Sequence, residues 1–302
     1  MENNDVRDFL LFMLIFSFHF EHEMSWNDFE HEVVFKNRHF PKHKILEYVE
    51  QKSKKATKKL RKGKVLFRAR IHEYNFHEEL AEQVGKLDHL NDDEKENIVK
   101  EFTGLTKNGE FVSLLLSGAL FKNEEQMQTY LKSKEDNLFK GYDKKNSTAP
   151  PANMATEGRA NPQFVRYLYV AENCKTAIYE VRPIIKQNVS VAPMVVKKTL
   201  KLYDFTKSIE DSNLAEINKD NLFNVIGKAF AKPNHNNNEM YIPTQYLTEY
   251  IKSLGFDGIR YNSSLHRNGK NIVIFDPDLC EPISSDIYKI ENIEVKLKKI
   301  TS

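Results

Sequence analysis

The chain has 302 residues, of which 40% are hydrophobic, so it is long enough to bury a large core. Lysine and arginine exceed aspartate and glutamate by only two residues, so the overall charge excludes a general electrostatic attraction to nucleic acid. Two cysteines, Cys174 and Cys280, are too few for a disulfide-stabilised scaffold, and they predict a protein of the reducing cytoplasm.

The first element of the chain is an apolar segment, FLLFMLIFSF at residues 9–18. It is much shorter than the ~20 residues that a membrane-spanning helix needs. The residues before it, MENNDVRD, are net acidic, whereas an export signal begins with basic residues. The sequence therefore predicts a helix that packs on the body of the protein, with no membrane association.

The next segments are also predicted to be helical, up to about residue 62. SWNDFEHEVVFKNRHF at 25–40 places Trp26, Phe29, Val33 and Phe40 at helical spacing. The basic run KSKKATKKLRKGK at 52–64 is typical of a solvated helix face, and contact with RNA or phosphate is the alternative.

A second sequence feature also favours the alternative of contact with RNA. In RHFPKH, Arg38 and His43 have the spacing of an Arg-x4-His ribonuclease signature, although so short a motif arises easily by chance. An RNA-binding or RNA-cleaving protein is thus the alternative of another class, and direct binding of nucleic acid is not expected.

Short strands dominate the rest of the chain, apart from a polar, helical stretch at 76–146. VLFRARI at 65–71 is a predicted strand, and RYLYV, IYEV, LKLYDF, GIRYN and NIVIF follow later. AKPNHNNNEM at 231–240 is a predicted loop, and YIPTQYLTEYIKSLGF is an amphipathic helix that ends at Gly255. Strands and helices mix without a βαβ repeat, so the predicted fold class is α+β.

The sequence lacks the motifs of several common binding and catalytic sites. GLTKNGE at 104–110 lacks the Lys-Ser/Thr pair of a phosphate-binding loop, and no GxGxxG motif occurs. The histidines of HEYNFH at 72–77 are five residues apart, which separates them on a helix, so no metal site is expected. Cys174 has no obvious base nearby in the sequence, and we expect an inert thiol.

Three stretches in a fixed order carry a resemblance to a known family. VLFRARI, GRANPQFVRYLYVAENCKTAIYEVRP at 158–183 and FDGIRYNSSLHRNGKNIVIF at 256–275 together resemble the RES domain family, which is named for an Arg, a Glu and a Ser and includes bacterial toxins. The N-terminal segment is similar to the extension of longer members. The predicted domains are therefore a helical N-terminal extension, 1–62, and a RES-like catalytic domain, 63–302, with its helical insertion at about 76–146.

The resemblance implies a function as well as a fold. It implies a split β-sheet core similar to ADP-ribosyltransferases, with NAD as the substrate and no metal. Toxins of this family destroy NAD by phosphorolysis or hydrolysis, or transfer ADP-ribose to a protein, so a hydrolase, a glycosyltransferase and an ADP-ribosyltransferase all stay open. A DNA-binding antitoxin that blocks the active site is the partner that the resemblance implies.

Carried over to this sequence, the resemblance assigns individual residues. Arg68 in LFRAR, Glu180 in TAIYE and Ser263 in YNSS match the Arg, Glu and Ser of the family, and we expect them to be catalytic. Arg159 in GRAN and Tyr169 in YLYVAE match further pocket positions. The family often has a glycine soon after this GRxNP motif, where NPQFVRY has none, so the shape of this turn is open.

The chemistry of NAD cleavage needs these residue types. A carboxylate such as Glu180 can stabilise the positive charge that develops on the ribose when nicotinamide leaves. An arginine fork suits the pyrophosphate, and the rings of Tyr169 and Tyr261 offer a flat surface to the cationic pyridinium. Ser263 is expected to bind the nicotinamide amide or a ribose hydroxyl rather than to act as a nucleophile. Taken singly, each position also has an ordinary structural explanation, such as a strand ion pair between Glu180 and Arg182.

Overall fold

The computed structural model describes residues 7, 9–14, 25–72, 84–85, 88–105, 139–207, 214–232 and 238–293. They fall into two compact units, residues 1–71 with 141–302 and residues 72–140. The helices are α1 (25–31, continued by a π-helical turn at Glu32–Lys36), α2 (Lys44–Ala56), α3 (Asp92–Leu105), α4 (Lys144–Ser147), α5 (Cys174–Glu180), α6 (Leu214–Ala231) and α7 (Ile242–Ser253). Short 3-10 turns lie at Ala152–Met154, Asn238–Tyr241 and Pro277–Leu279.

The larger unit is built on one mixed sheet of nine strands, in the order β1-β5-β6-β7-β3-β2-β4-β8, with β9 also paired to β4. The neighbours β5 and β6 are parallel, whereas β6 and β7 as well as β7 and β3 are antiparallel. This mixed sheet with packed helices confirms the predicted α+β class. The strands are β1 (Thr57–Leu60), β2 (Val65–His72), β3 (Leu168–Ala171), β4 (Asn188–Val196), β5 (Leu200–Asp204), β6 (Gly258–Asn262), β7 (Lys270–Ile274), β8 (Cys280–Pro282) and β9 (Asp286–Lys289).

Helices α1, α2, α6 and α7 share one apolar core with one face of the sheet. This core joins Phe29 and Val49 of the N-terminal helices to Tyr203 of β5 and Ile259 of β6, all fully buried. The Tyr203 hydroxyl also donates a hydrogen bond of 3.0 Å to the Val49 carbonyl oxygen. The N-terminal helices therefore form part of the same packed layer as the sheet. The predicted division at residues 62 and 63 stays a prediction.

Several sequence predictions are confirmed by these elements. β2, β3, β6 and β7 lie where aromatic and β-branched runs predicted strands. Helix α7 begins with a proline in its first turn and ends before Gly255, whose φ of +77° suits glycine. Of the predicted loop at 231–240, residues 233–237 lie outside the described residues.

Two predictions near the N-terminus are wrong. Residues 9–14 are helical, but their large apolar side chains are 45–63% exposed, so this helix does not bury them against the body of the protein. The basic run at 52–64 is not one helix face, because α2 ends at Ala56 and the next residues form β1, which pairs with β5. Lysine is compatible with a strand at a sheet edge, where charge also discourages aggregation.

The smaller unit contains α3, which begins with a reciprocal cap. The Asn91 side chain accepts a hydrogen bond from the Glu94 N–H, and the Glu94 carboxylate accepts one from the Asn91 N–H, both at 2.9 Å. This helix lies within the stretch predicted as a helical insertion. Residues 76–83, 86–87 and 106–138, which belong to the same stretch, lie outside the described residues.

Candidate active site

A cavity of about 310 Å³ opens at the centre of the sheet, on the face that carries the helices. Such a volume suits part of a nucleotide. Five of the six predicted site residues line it, and they come from three strands, one helix and one turn. The polar and aromatic lining residues are Phe67, Arg68, Glu157, Arg159, Tyr169, Glu180, Tyr241, Tyr261 and Asn271.

Glu180 is the last residue of helix α5, so the helical pattern of AENCKTAIYE is confirmed and the strand predicted for IYEV is wrong. The helix begins at a polar cap, because the Asn173 side chain accepts a hydrogen bond of 2.8 Å from the Thr176 N–H. A segment as short as this is compatible with either a strand or a helix, and the cap favours the helix. The carboxylate therefore reaches the cavity from a helix end that lies across the sheet.

One oxygen of Glu180 is fixed by two hydrogen bonds. The Ser263 hydroxyl donates to Oε1 at 2.6 Å, and the Asn271 amide donates to the same oxygen at 2.8 Å. Ser263 follows strand β6, as predicted, and its oxygen accepts hydrogen bonds from the N–H groups of Leu265 and His266. Ser263 does not itself line the cavity. It positions the carboxylate of Glu180, which does.

The other carboxylate oxygen, Oε2, faces Arg159. Its distance to the Arg159 Nη1 is 3.9 Å, and both side chains are largely buried. Burial opposes the charge of Arg159, but the neighbouring Tyr261 and Glu180 outweigh it and raise the pKa of the guanidinium. Arg159 therefore stays charged beside a carboxylate whose Oε2 accepts no hydrogen bond from a hydroxyl or amide of the described residues.

A short turn places Arg159. Tyr169 donates a hydrogen bond of 2.7 Å from its hydroxyl to Asn161 and accepts one of 3.0 Å from the Ala160 N–H. A Cβ atom at Gly158 would lie only 2.7 Å from the Tyr169 hydroxyl oxygen, so the turn requires glycine there. The open question about NPQFVRY is also answered, since Phe164 adopts a φ of +69°, a conformation that favours glycine.

Arg68 of strand β2 has no carboxylate partner in the described part of the chain. Its Nη1 is 3.5 Å from the Tyr169 carbonyl oxygen, and its Nε is shielded from solvent without a hydrogen-bond partner. Burial, and secondly the nearby Arg70, lower the pKa of Arg68 to about 10, at which it is still a cation at neutral pH.

Arg260, another arginine of the sheet, differs from Arg68 because it has acidic partners. Arg260 of β6 binds Glu172 through Nε at 2.7 Å and through Nη2 at 3.0 Å, and it contacts both oxygens of Asp204 at 3.0 Å. Arg260 is thus compensated within the protein. Arg68 presents an uncompensated positive charge to the cavity.

The two predicted tyrosines lie on adjacent walls of the cavity. Burial raises the pKa of Tyr261 to about 12 and raises that of Tyr169 further, so both phenols are neutral at physiological pH. The Tyr169 hydroxyl is occupied by the turn, which leaves its ring as the part available to a ligand.

Sequence reasoning missed Asn271 and Tyr241. Asn271 lies in the apolar strand β7, in the sequence GKNIVIF, where a single amide inside a strand was the available signal. Tyr241 precedes helix α7 and hydrogen-bonds to Arg159, one of the contacts that raise the Arg159 pKa. No local pattern marked Tyr241 among the thirteen tyrosines of the chain.

Other sequence candidates lie away from this cavity. His43 is the N-cap of α2, where its Nδ1 accepts a hydrogen bond of 3.3 Å from the Ile45 N–H, so its ring has a structural role. Burial raises the pKa of the Cys174 thiol, which disfavours a reactive thiolate. None of the described helices combines the length and the apolar character needed to cross a membrane.

Comparison with known proteins identifies the family of the chain. The family model of the RES domain matches residues 139–290, half of the chain, and this range includes Arg159, Tyr169, Glu180, Tyr261 and Ser263. The protein therefore belongs to the RES domain family, whose members act on NAD and include toxins.

Structural comparison adds a distant similarity. The crystal structure of the M. tuberculosis MbcT-MbcA toxin-antitoxin complex matches with a TM-score of 0.29 and 10% sequence identity, over 47% of this chain and 76% of that chain. A similarity of this size supports no further conclusion. No curated protein matches the sequence.

Proposed function

We propose that this protein cleaves the nicotinamide–ribose bond of NAD and passes the ribose to phosphate or water. One observation carries the proposal: a carboxylate with one free oxygen, Glu180, lies in the same cavity as two arginines, Arg159 and Arg68. NAD has the complementary groups, a ribose carbon that becomes positive and a doubly charged pyrophosphate.

In the proposed reaction the bond between the ribose C1 and the pyridinium nitrogen breaks, and its electron pair neutralises the nitrogen. Nicotinamide then leaves as a neutral molecule, and the cation that remains on the ribose lies beside Glu180 Oε2. Water gives ADP-ribose and releases one proton, whereas phosphate gives a phosphorylated ADP-ribose. A fixed carboxylate is effective here because it needs no reorganisation as the charge develops.

The arginines have separate roles in this proposal. Arg68, which has no acidic partner in the described residues, is assigned to the pyrophosphate, since a buried cation gains most from an anion. Arg159 lies between the phosphates and Glu180, and the rings of Tyr169 and Tyr261 provide the surface for the pyridinium.

Two alternatives use other acceptors or other surfaces. Transfer of ADP-ribose to a protein begins with the same bond cleavage, and its acceptor lies outside the cavity. An RNA-directed function rests on the basic run at 52–64 and on Arg38 with His43, and the capping role of His43 weakens it. RNA binding that falls steeply with salt is its test, and indifference to RNA counts against it.

We also propose a cytoplasmic toxin held by a DNA-binding antitoxin, as the family membership suggests. Co-purification with the product of the neighbouring gene tests this partner. A monomer that is fully active in isolation and captures no such protein would contradict it.

The decisive experiment incubates the purified, folded protein with NAD, with and without phosphate, and measures nicotinamide release. We expect release, and the sugar product then distinguishes phosphorolysis from hydrolysis. Label appearing on a protein from NAD radiolabelled in its adenylate indicates transfer. Intact NAD after long incubation, with no partner bound, would mean that the proposed function is wrong.

A further inference from the structure

We infer that Asn271 gives the site its specificity for a nicotinamide carboxamide, by accepting a hydrogen bond from the carboxamide N–H at its own Oδ1. The inference rests on the proposed function, and it adds a prediction that the reaction alone does not make: a dinucleotide whose carboxamide is replaced by a carboxylate is a poor ligand.

The first observation fixes the orientation of the Asn271 amide. Its Nδ2 donates to Glu180 Oε1 at 2.8 Å, and Ser263 donates to the same oxygen. A carboxylate only accepts hydrogen bonds, so the reversed amide would place two acceptors against each other. The nitrogen of Asn271 must therefore face Glu180, and Oδ1 must face away from it.

The second observation is that Oδ1 is a buried acceptor without a hydrogen-bond donor among the described residues. The Asn271 side chain is 4% exposed, and an unsatisfied buried acceptor is a cost that folded proteins rarely retain without a function.

The strand position of Asn271 puts it in the wall of the cavity. Its register partners are Ala171 on β3 and Tyr261 on β6, and all three residues line the cavity. Because Oδ1 is itself shielded from solvent, a ligand that fills the cavity supplies the missing donor only when the neighbouring side chains shift to admit it.

The chemistry of the ligand then decides which donor this is. Near Glu180 the reacting half of NAD offers ribose hydroxyls and the carboxamide N–H groups. The free Oε2 of Glu180 is the stronger acceptor, because it is charged, and it takes the hydroxyls. The carboxamide is left for Asn271 Oδ1. A carboxylate in its place has no hydrogen to donate and brings a negative charge towards Glu180.

The test compares NAD with nicotinic acid adenine dinucleotide, its carboxylate analogue, in the full-length protein. We expect kcat/KM for NAD to exceed that for the analogue by ~10²-fold or more, as for sites that hydrogen-bond a substrate N–H. Asn271→Ala should reduce this ratio to ~10 or less. Asn271→Leu, which has nearly the same size and no polar atom, serves as a second variant should the alanine protein be unstable.

Ser263→Ala is the matched control, because it removes the other hydrogen bond to the same Glu180 oxygen and leaves the Asn271 amide in place. It should slow cleavage of both dinucleotides and keep their ratio. If Asn271→Ala and Asn271→Leu keep the parental ratio, or if Ser263→Ala loses it equally, Asn271 only positions Glu180 and the inference is wrong.

A binding measurement separates this inference from the proposed function. Calorimetric titration of both dinucleotides gives their affinity ratio without any turnover. Should neither dinucleotide be cleaved, the proposed function is wrong, while the affinity ratio in the parent and in Asn271→Leu still decides the inference. Equal affinity of the parent protein for both dinucleotides would overturn it.

Discussion

At the scale of single residues, the two oxygens of Glu180 have different surroundings. Oε1 accepts hydrogen bonds from Ser263 and Asn271, whereas Oε2 faces Arg159 at 3.9 Å. Two donors on one oxygen restrain the carboxylate, and the second oxygen has only Arg159 as a polar neighbour among the described contacts. The alternative left open by the sequence, an ion pair between Glu180 and Arg182 on a strand, would not require two hydrogen-bond donors on the same carboxylate oxygen.

Replacing Glu180 with glutamine should remove the charge and keep the geometry, because the amide oxygen can still accept from Ser263 and Asn271. We expect nicotinamide release to slow by ~10²–10³-fold, which is typical for the loss of one preorganised electrostatic group. NAD should still bind, and thermal unfolding should match the parent. A variant that unfolds would make Glu180 structural, and parental turnover would remove it from the mechanism.

Replacing Arg68 should change NAD binding and protein stability in opposite directions. Arg68→Met removes a half-buried cation that has no acidic partner among the described residues, so the protein should become more stable to unfolding by up to about 1 kcal/mol. The same change should weaken NAD binding by ~1.5–3 kcal/mol, the value of a hydrogen bond to a charged group. Thermal unfolding without ligand and calorimetric titration with NAD measure the two effects.

Arg70→Met is the control, because Arg70 lies two residues further along the same strand and its guanidinium already contacts other groups of the protein. Its guanidinium donates to the Asn146 carbonyl oxygen and lies 4.7 Å from the Tyr142 ring centroid. This variant should lose stability and keep its affinity for NAD. If Arg68→Met binds NAD like the parent, Arg68 does not hold the pyrophosphate.

At the scale of elements, two short pieces of structure place the charged groups. Helix α5 brings Glu180 to the cavity, and the turn at 158–161 brings Arg159. Each is held by a contact from elsewhere in the chain: the Thr176 hydroxyl hydrogen-bonds to His266 at 2.8 Å, and the Gln245 amide donates to the Gly158 and Asn161 carbonyl oxygens.

The turn should be sensitive to a single methyl group. In Gly158→Ala the new Cβ would lie 2.7 Å from the Tyr169 hydroxyl and 2.8 Å from Asn161 Oδ1, both of which are engaged in the turn itself. We expect a shift of Arg159, with weaker NAD binding as well as lower stability, measured by titration and thermal unfolding. Gly85→Ala, where a Cβ meets nothing within 4 Å, should change neither. Unchanged affinity in Gly158→Ala would show that the turn does not need its present conformation.

The elements also show what the sequence could predict. Strands β3, β6 and β7 were predictable because alternation and β-branched residues act locally. The position of Glu180 was ambiguous, since AENCKTAIYE has a helical pattern whereas IYEV resembles a strand, and the Asn173 cap stabilises the helix. The contact between Glu180 and Asn271 joins residues 91 positions apart, and no local pattern reports such a contact. Five of the six candidate site residues were predicted through the family resemblance, and Tyr261 was predicted from the need for an aromatic surface beside a cationic ring.

At the scale of the whole molecule, the N-terminal region is part of the same core as the site. Trp26, Phe29 and Val33 are buried with Tyr203 and Phe256 of the sheet side. Strand β1 adds a ladder from Thr57 opposite Tyr203 to Leu60 opposite Leu200. The Lys207 ammonium also donates to the Lys55 and Thr57 carbonyl oxygens at 2.8 Å. These contacts predict that the region cannot be removed without loss of the fold.

The last prediction concerns two truncations of the chain. A protein that begins at residue 63 lacks β1 and the buried side chains of α1 and α2. Deleting one buried phenylalanine side chain costs about 3–5 kcal/mol, and a domain is stable by only about 5–15 kcal/mol in total. Loss of Phe29 together with Trp26, Ile45 and Val49 therefore exceeds the available stability. We expect no cooperative thermal unfolding and no NAD binding.

A protein that begins at residue 25 is the control, because the large apolar side chains at 9–14 are exposed, and it should keep the parental melting temperature. If the chain from 63 melts cooperatively at the parental temperature, the N-terminal region is a detachable extension, and the core described above does not depend on it.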